Sequence, residues 1–168
     1  TLSLDTYSNS IRTLATALST DSAANVNLGS ATLTVGTSSV TTSKTYAGVI
    51  TGTGSFIYNG AGRLSLTGTN SDYSGSTTIG WGSLQIQSLS NANANSSLGK
   101  SSTALIFTGG NLEYVGADAA TDRGISLNNN WTASIIVSTG KTLTIGGNIT
   151  GAGSLSASGN GTLFLSGT

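Results

Sequence analysis

Six strand-like runs in this chain each carry two apolar side chains two residues apart: Leu64/Leu66, Leu84/Ile86, Leu105/Phe107, Ile125/Leu127, Leu143/Ile145 and Leu163/Leu165. Their first members are separated by 20, 21, 20, 18 and 20 residues. Alternation in an extended strand puts both members of a pair on one face. One such pair at a regular period near 20 is the signature of a solenoid, because each turn can bury its apolar face only against the next. The expected fold is all-β: a right-handed parallel β-helix (β-solenoid) of about 20 residues per turn, a fragment of a longer solenoid. Turns should stack about 4.8 Å apart, with the six pairs in one internal column.

Further short alternating runs at 31–35, 55–58, 77–79, 111–114, 134–137 and 154–157 are bounded by Gly, Asn, Asp or Ser and read as strands of the same turns. A β-sandwich also needs many short strands, but it does not need one pair every 20 residues. A leucine-rich repeat has a similar period, but its leucines and Asn at fixed offsets are missing. With 24 Gly and only 7% charged residues the composition approaches that of disordered chains, yet such chains lack regularly spaced β-branched residues. Helical spacing occurs at residues 10–18, where Ile11, Leu14, Ala15 and Leu18 share a face. The expected organisation is therefore an N-terminal cap or irregular first turn over 1–24 and a parallel β-helix over 25–168.

A longer repeat overlies the first. Ile50-Thr51-Gly52-Thr53-Gly54-Ser55-Phe56 aligns with Ile149-Thr150-Gly151-Ala152-Gly153-Ser154-Leu155, and the run 60–69 aligns with 159–168, all at an offset of 99. Glycine recurs because each bend needs positive φ or close backbone approach. Upstream, Thr32-Leu33-Thr34-Val35-Gly36 matches Thr142-Leu143-Thr144-Ile145-Gly146 at an offset of 110. The difference predicts an insertion of eleven residues between Gly36 and Ile50, bulging out as a loop.

The runs Gly52-Thr53-Gly54-Ser55-Phe56, Gly60-Ala61-Gly62-Arg63-Leu64-Ser65-Leu66-Thr67-Gly68-Thr69-Asn70, Tyr73-Ser74-Gly75-Ser76-Thr77-Thr78-Ile79 and Gly82-Ser83-Leu84-Gln85 together resemble the autotransporter-associated β-strand repeat. The resemblance covers about 25–168, with one full copy and a partial one from 149. Three residues depart from the family pattern: Tyr58 stands where Lys is common, Arg63 where Thr is, and Trp81 lies in a turn usually filled by Asn or a small residue. The resemblance implies a bacterial autotransporter passenger, secreted or displayed at the cell surface via the outer membrane. It also implies a C-terminal outer-membrane β-barrel in the same precursor as partner, a role in export and extracellular folding, and host surfaces or other copies of the chain as further candidate partners. Thr1 in place of Met, with no signal peptide at the start, suggests a processed or excised piece.

The chemistry legible in the residues is sparse. There is no His and no Cys, hence no imidazole base, Ser-His-Asp triad, thiolate or disulfide. The six acids, Asp5, Asp21, Asp72, Glu113, Asp118 and Asp122, are spread over distant turns. Asp118 and Asp122 share a loop with Arg123; a Ca²⁺ site or catalytic pair is weighed there against a solvated turn with one local ion pair, and the latter is preferred because Ca²⁺ wants six or more oxygens. Zero net charge gives no long-range pull on nucleic acid or anionic lipid. These residues predict no enzyme, cofactor, metal or small-molecule substrate.

Two residues are kept as candidates for surface interaction. Trp81, between Gly80 and Gly82, is read either as a sugar-stacking or adhesive residue or as a plug over its own turn; Trp131, after three Asn, carries the same ambiguity. Thr-x-Thr runs raise ice binding, but the outward positions between the paired apolars form no Thr ladder. What remains is a structural, export-promoting passenger segment, with an adhesin or self-association surface on the same scaffold as the alternative.

Overall fold

A computed structural model describes residues 1–16, 24–128 and 130–167. The chain winds through about seven rungs of short strands, each strand paired parallel to its counterpart one rung away. Three faces follow one another in chain order.

The first rung holds β1 (Leu2–Ser3) on the first face and β2 (Asn9–Ile11) on the second; the next holds β3 (Val26–Asn27), β4 (Thr32–Val35) and β5 (Lys44–Tyr46). Above them lie β6 (Ile50–Thr51), β7 (Ser55–Tyr58) and β8 (Arg63–Leu66), then β9 (Thr77–Ile79) and β10 (Ser83–Ile86), then β11 (Leu105–Phe107) and β12 (Asn111–Tyr114). The upper rungs are β13 (Ala119–Thr121), β14 (Ile125–Leu127) and β15 (Thr132–Val137), followed by β16 (Thr142–Ile145), β17 (Ile149–Gly151) and β18 (Ser154–Ser158), with β19 (Thr162–Leu165) opening one more.

The second face is a seven-stranded sheet from β2 to β17 and the third a six-stranded sheet from β5 to β18. The first face is two three-stranded sheets, β1-β3-β6 below and β13-β16-β19 above. Between them the first face is irregular: Ser71 Oγ accepts the Ile50 amide, and the Lys100 amide donates to Tyr73 O.

The pleat repeats along most strands as half-buried/buried alternation, as in β4, β7, β10, β12 and β16. Inward residues such as Leu33, Phe56, Leu84, Leu105, Leu112, Ile125, Ile135 and Leu143 are fully buried in one continuous core. Inward tyrosines finish several strands and satisfy corner carbonyls: Tyr58 Oη donates to Gly62 O at 2.8 Å, Tyr114 Oη to Ala117 O, and Tyr46 Oη to Ala24 O.

The six apolar pairs do not form one column. Leu64/Leu66 and Leu84/Ile86 lie on the third face, Leu105/Phe107 and Ile125/Leu127 on the second, and Leu143/Ile145 and Leu163/Leu165 on the first. Leu84 pairs with Leu112, 28 residues on, not with Leu105. The physical reason is that every face of every rung carries the same kind of inward pair. A residue spacing near 20 is met equally by a short complete rung and by two faces of a long one. Rungs run from 20 residues (Leu64 to Leu84) to 28 (Leu84 to Leu112), the longest because residues 88–101 make an excursion from the first face.

The longer repeat has the same cause of misreading. Phe56 is on the second face and its match Leu155 on the third; Leu64 is on the third and Leu163 on the first. The 99-residue offset is thus four rungs plus one face. The eleven-residue insertion dissolves with it. From Gly36 the chain must still build the third face before Ile50, and it does so as β5, with Val40, Tyr46 and Ala47 buried. From Gly146 to Ile149 it only turns a corner between two faces. The helical spacing at 10–18 is also overridden: Asn9–Ile11 is strand, held in register against Leu33–Val35. Residues 17 and 18 lie outside the described residues.

Candidate interaction site: a tryptophan pair on one corner

The corner between the second and third faces is rich in glycine. Successive rungs pass it as Asn59-Gly60-Ala61-Gly62, then Gly80-Trp81-Gly82, Thr108-Gly109-Gly110, and, between β14 and β15, Asn128, Asn130 and Trp131. Backbone bonds hold the rungs in step: Gly80 N–H donates to Tyr58 O, Thr108 N–H to Ile79 O, and Asn128 N–H to Phe107 O.

Trp81 and Trp131, 50 residues apart in sequence, meet here across the intervening rung. Their ring centroids are 5.4 Å apart and the planes are at 86°, an edge-to-face contact. The rung between supplies the gap. A Cβ on Gly109 would lie 3.2 Å from Trp131 Cε3, and Gly109 has φ +135°; a Cβ on Gly110 would lie 2.9 Å from Trp81 N. Both rings remain open to solvent, at 38% and 47% exposure. Among the described residues, the other exposed large apolar side chains are Leu2, Tyr7, Ile149, Phe164 and Leu165, all in the first rung or the last strands. The two indoles are exposed in mid-shaft, where neighbouring rungs exist to cover a side chain.

The acidic loop resolves differently. Asp118 Oδ1 accepts the Thr142 amide at 2.8 Å, and Asp122 Oδ1 accepts the Ala92 amide at 2.7 Å. The two carboxylates therefore tie rungs together. Arg123 turns inward and is fully buried, so it forms no local ion pair at the surface. Its Nη1 donates to Leu98 O at 3.0 Å, pinning the 88–101 excursion, and its amide donates to Thr121 Oγ1 at 3.1 Å. Burial pushes its pKa down, against the opposing pull of Tyr73 and Asp122. The outward positions of the second face, Thr34, Ile57, Thr78, Ile106, Ser126 and Thr150, make no ladder of threonines.

A family model for the passenger-associated transport repeat matches residues 56–86, from β7 to β10. The chain is 40% identical over 147 residues to the "Adhesin BmaC autotransporter" of Brucella suis biovar 1 (strain 1330), covering 85% of this chain and 4% of that protein. No solved structure matches.

The chain is a segment of an autotransporter passenger.

Such a passenger is secreted or displayed at the cell surface through the outer membrane. Within the matched repeat, the three departures from the family pattern each have a partner. Tyr58 closes its corner on Gly62 O. Arg63 Nε sits 3.1 Å from Glu113 Oε2, and Trp81 packs on Trp131. Two of those partners, Glu113 and Trp131, lie outside residues 56–86, so the departures at Arg63 and Trp81 belong to this passenger's own rung contacts rather than to the repeat. The Trp contact was missed in the sequence because its span, two rungs of unequal length, has no fixed spacing. The burial of Arg123 had no sequence signal, as an Arg next to an Asp in an acidic loop reads as solvated.

Proposed function

We propose that this passenger segment is a structural shaft whose rung-by-rung folding outside the cell promotes export, and that it is not itself an enzyme. The observation that carries the reading is the strand order of the sheets. On the second face β2, β4, β7, β9, β11, β14 and β17 pair strictly in chain order. Each rung is completed against the one beside it, so folding free energy is released locally as chain emerges, and a folded rung opposes return through the pore. The absence of Cys suits a chain that must cross unfolded. Surface display of the full-length passenger, measured beside total expression, tests this. Leu105→Asp, in the core, should lower display, whereas Ile106→Asp, on the same strand facing out, should not. Equal display of both would refute the role of folding.

The exposed indole pair favours a second reading on the same scaffold, an adhesive surface. The curated relative is by name an adhesin. Trp131→Ala should then reduce cell attachment while leaving display unchanged; attachment equal to the parent's would remove this reading.

A further inference from the structure

We infer that the Trp81–Trp131 corner is a stacking platform for neutral glycan chains; the inference deepens the adhesive reading and rests on it. Pyranose rings present C–H faces that pack on indoles, and their hydroxyls need amide and hydroxyl partners. The corner offers that combination. Its apolar part is two indoles with open surface, unscreened because Gly80, Gly82, Gly109 and Gly110 carry no side chains. Its polar part is uncharged: Asn59 Oδ1 and Thr108 Oγ1 lie beside Gly80, and Asn128 and Asn130 precede Trp131. Among the described residues of the corner, 59–62, 80–82, 108–110, 128, 130 and 131, none is ionisable. The nearest cation along the chain, Arg63, is held by Glu113. Such a surface carries no unpaired charge with which to select sulfated or sialylated chains, or an acidic or basic protein patch.

The edge-to-face contact fixes one ring against the other, so neither must be immobilised on binding; rigid aromatic surface binds at low entropic cost. Trp131, the more exposed ring, carries the greater share of the platform, and Trp81 braces it.

The experiment is titration of the purified chain with cello-, chito- and malto-oligosaccharides, read by tryptophan fluorescence, with heparin as the charged comparison. At least one neutral series should give a saturable shift. That response should persist at high salt, where the Debye length falls from about 10 Å to about 3 Å. Trp131→Ala should weaken it by about tenfold or more, the factor that about 1.4 kcal/mol of contact carries. Trp131→Phe should restore part of it. Thermal unfolding of each variant separates loss of the platform from loss of the fold. No saturable response to any neutral series, a salt-sensitive preference for heparin, or undiminished binding by a folded Trp131→Ala would overturn the assignment. Cells that attach to protein-coated surfaces through the same Trp pair, with no response to neutral oligosaccharides, would keep the adhesive reading and overturn this one.

Discussion

Leu105 and Ile106 are neighbours in β11, one fully buried and one facing out between Thr78 and Ser126. Leu105→Asp places a carboxylate in the core without a partner and should cost about 4 kcal/mol or more. Ile106→Asp should cost less than about 1 kcal/mol. Urea midpoints of the two variants measure the difference, and a lower midpoint for Ile106→Asp than for Leu105→Asp would show that the strand faces the other way. This level was legible in the sequence, because a period of two needs only a few residues to declare itself. Arg123 was not legible, because its burial depends on the 88–101 excursion folding over it. Arg123→Met removes the donor to Leu98 O and should cost about 1–3 kcal/mol. It should also speed amide exchange within 88–101 beyond that of β14; uniform protection in both segments would show that the guanidinium does not pin the excursion.

At the scale of strands and bends, the glycines that recur at the 99-residue offset keep their geometry although their faces change. Gly52 and Gly151 have φ +109° and +101°. Gly54 is needed for room: a Cβ there would lie 1.9 Å from Ala31 O on the rung below. Gly140 has φ +70° but open space around it. Gly54→Ala should therefore cost about 3 kcal/mol through displaced backbone, and Gly140→Ala about 1 kcal/mol of left-handed strain. Thermal melts rank the two; the opposite order would contradict the rung contacts at this corner. Strand existence was readable from alternation and bends. Face assignment was not, since three kinds of face share one pattern and rung length varies from 20 to 28. The Trp pair fell into the same gap: each residue was visible as an unusual turn residue, and only the folded rungs bring the two together.

At the scale of the whole shaft, stability comes from stacked rungs with no disulfide, and its pH limit lies on the alkaline side. Burial raises the phenol pKa of Tyr46, Tyr58 and Tyr73 from 10.0 to about 12. The folded form holds these protons more tightly than the unfolded form. Their contribution is therefore fully present below pH 10 and is lost as pH rises to about 12. Urea midpoints should fall across that window, and replacing Tyr58 by Phe should make the fall shallower; an unchanged slope would contradict the buried phenol. The three-faced stack is defined by which rungs touch. Gln85 lies directly beside Glu113 on the outer side of the third face, whereas the 20-residue column would put it beside Ile106. Since the chain has no Cys of its own, paired substitutions report this contact without background. Parallel neighbours bring Cα atoms within the range of about 4.4–6.8 Å that a disulfide spans. Under mild oxidation, Gln85→Cys with Glu113→Cys should crosslink and Gln85→Cys with Ile106→Cys should not; crosslinking of the second pair in place of the first would contradict the three-faced stack.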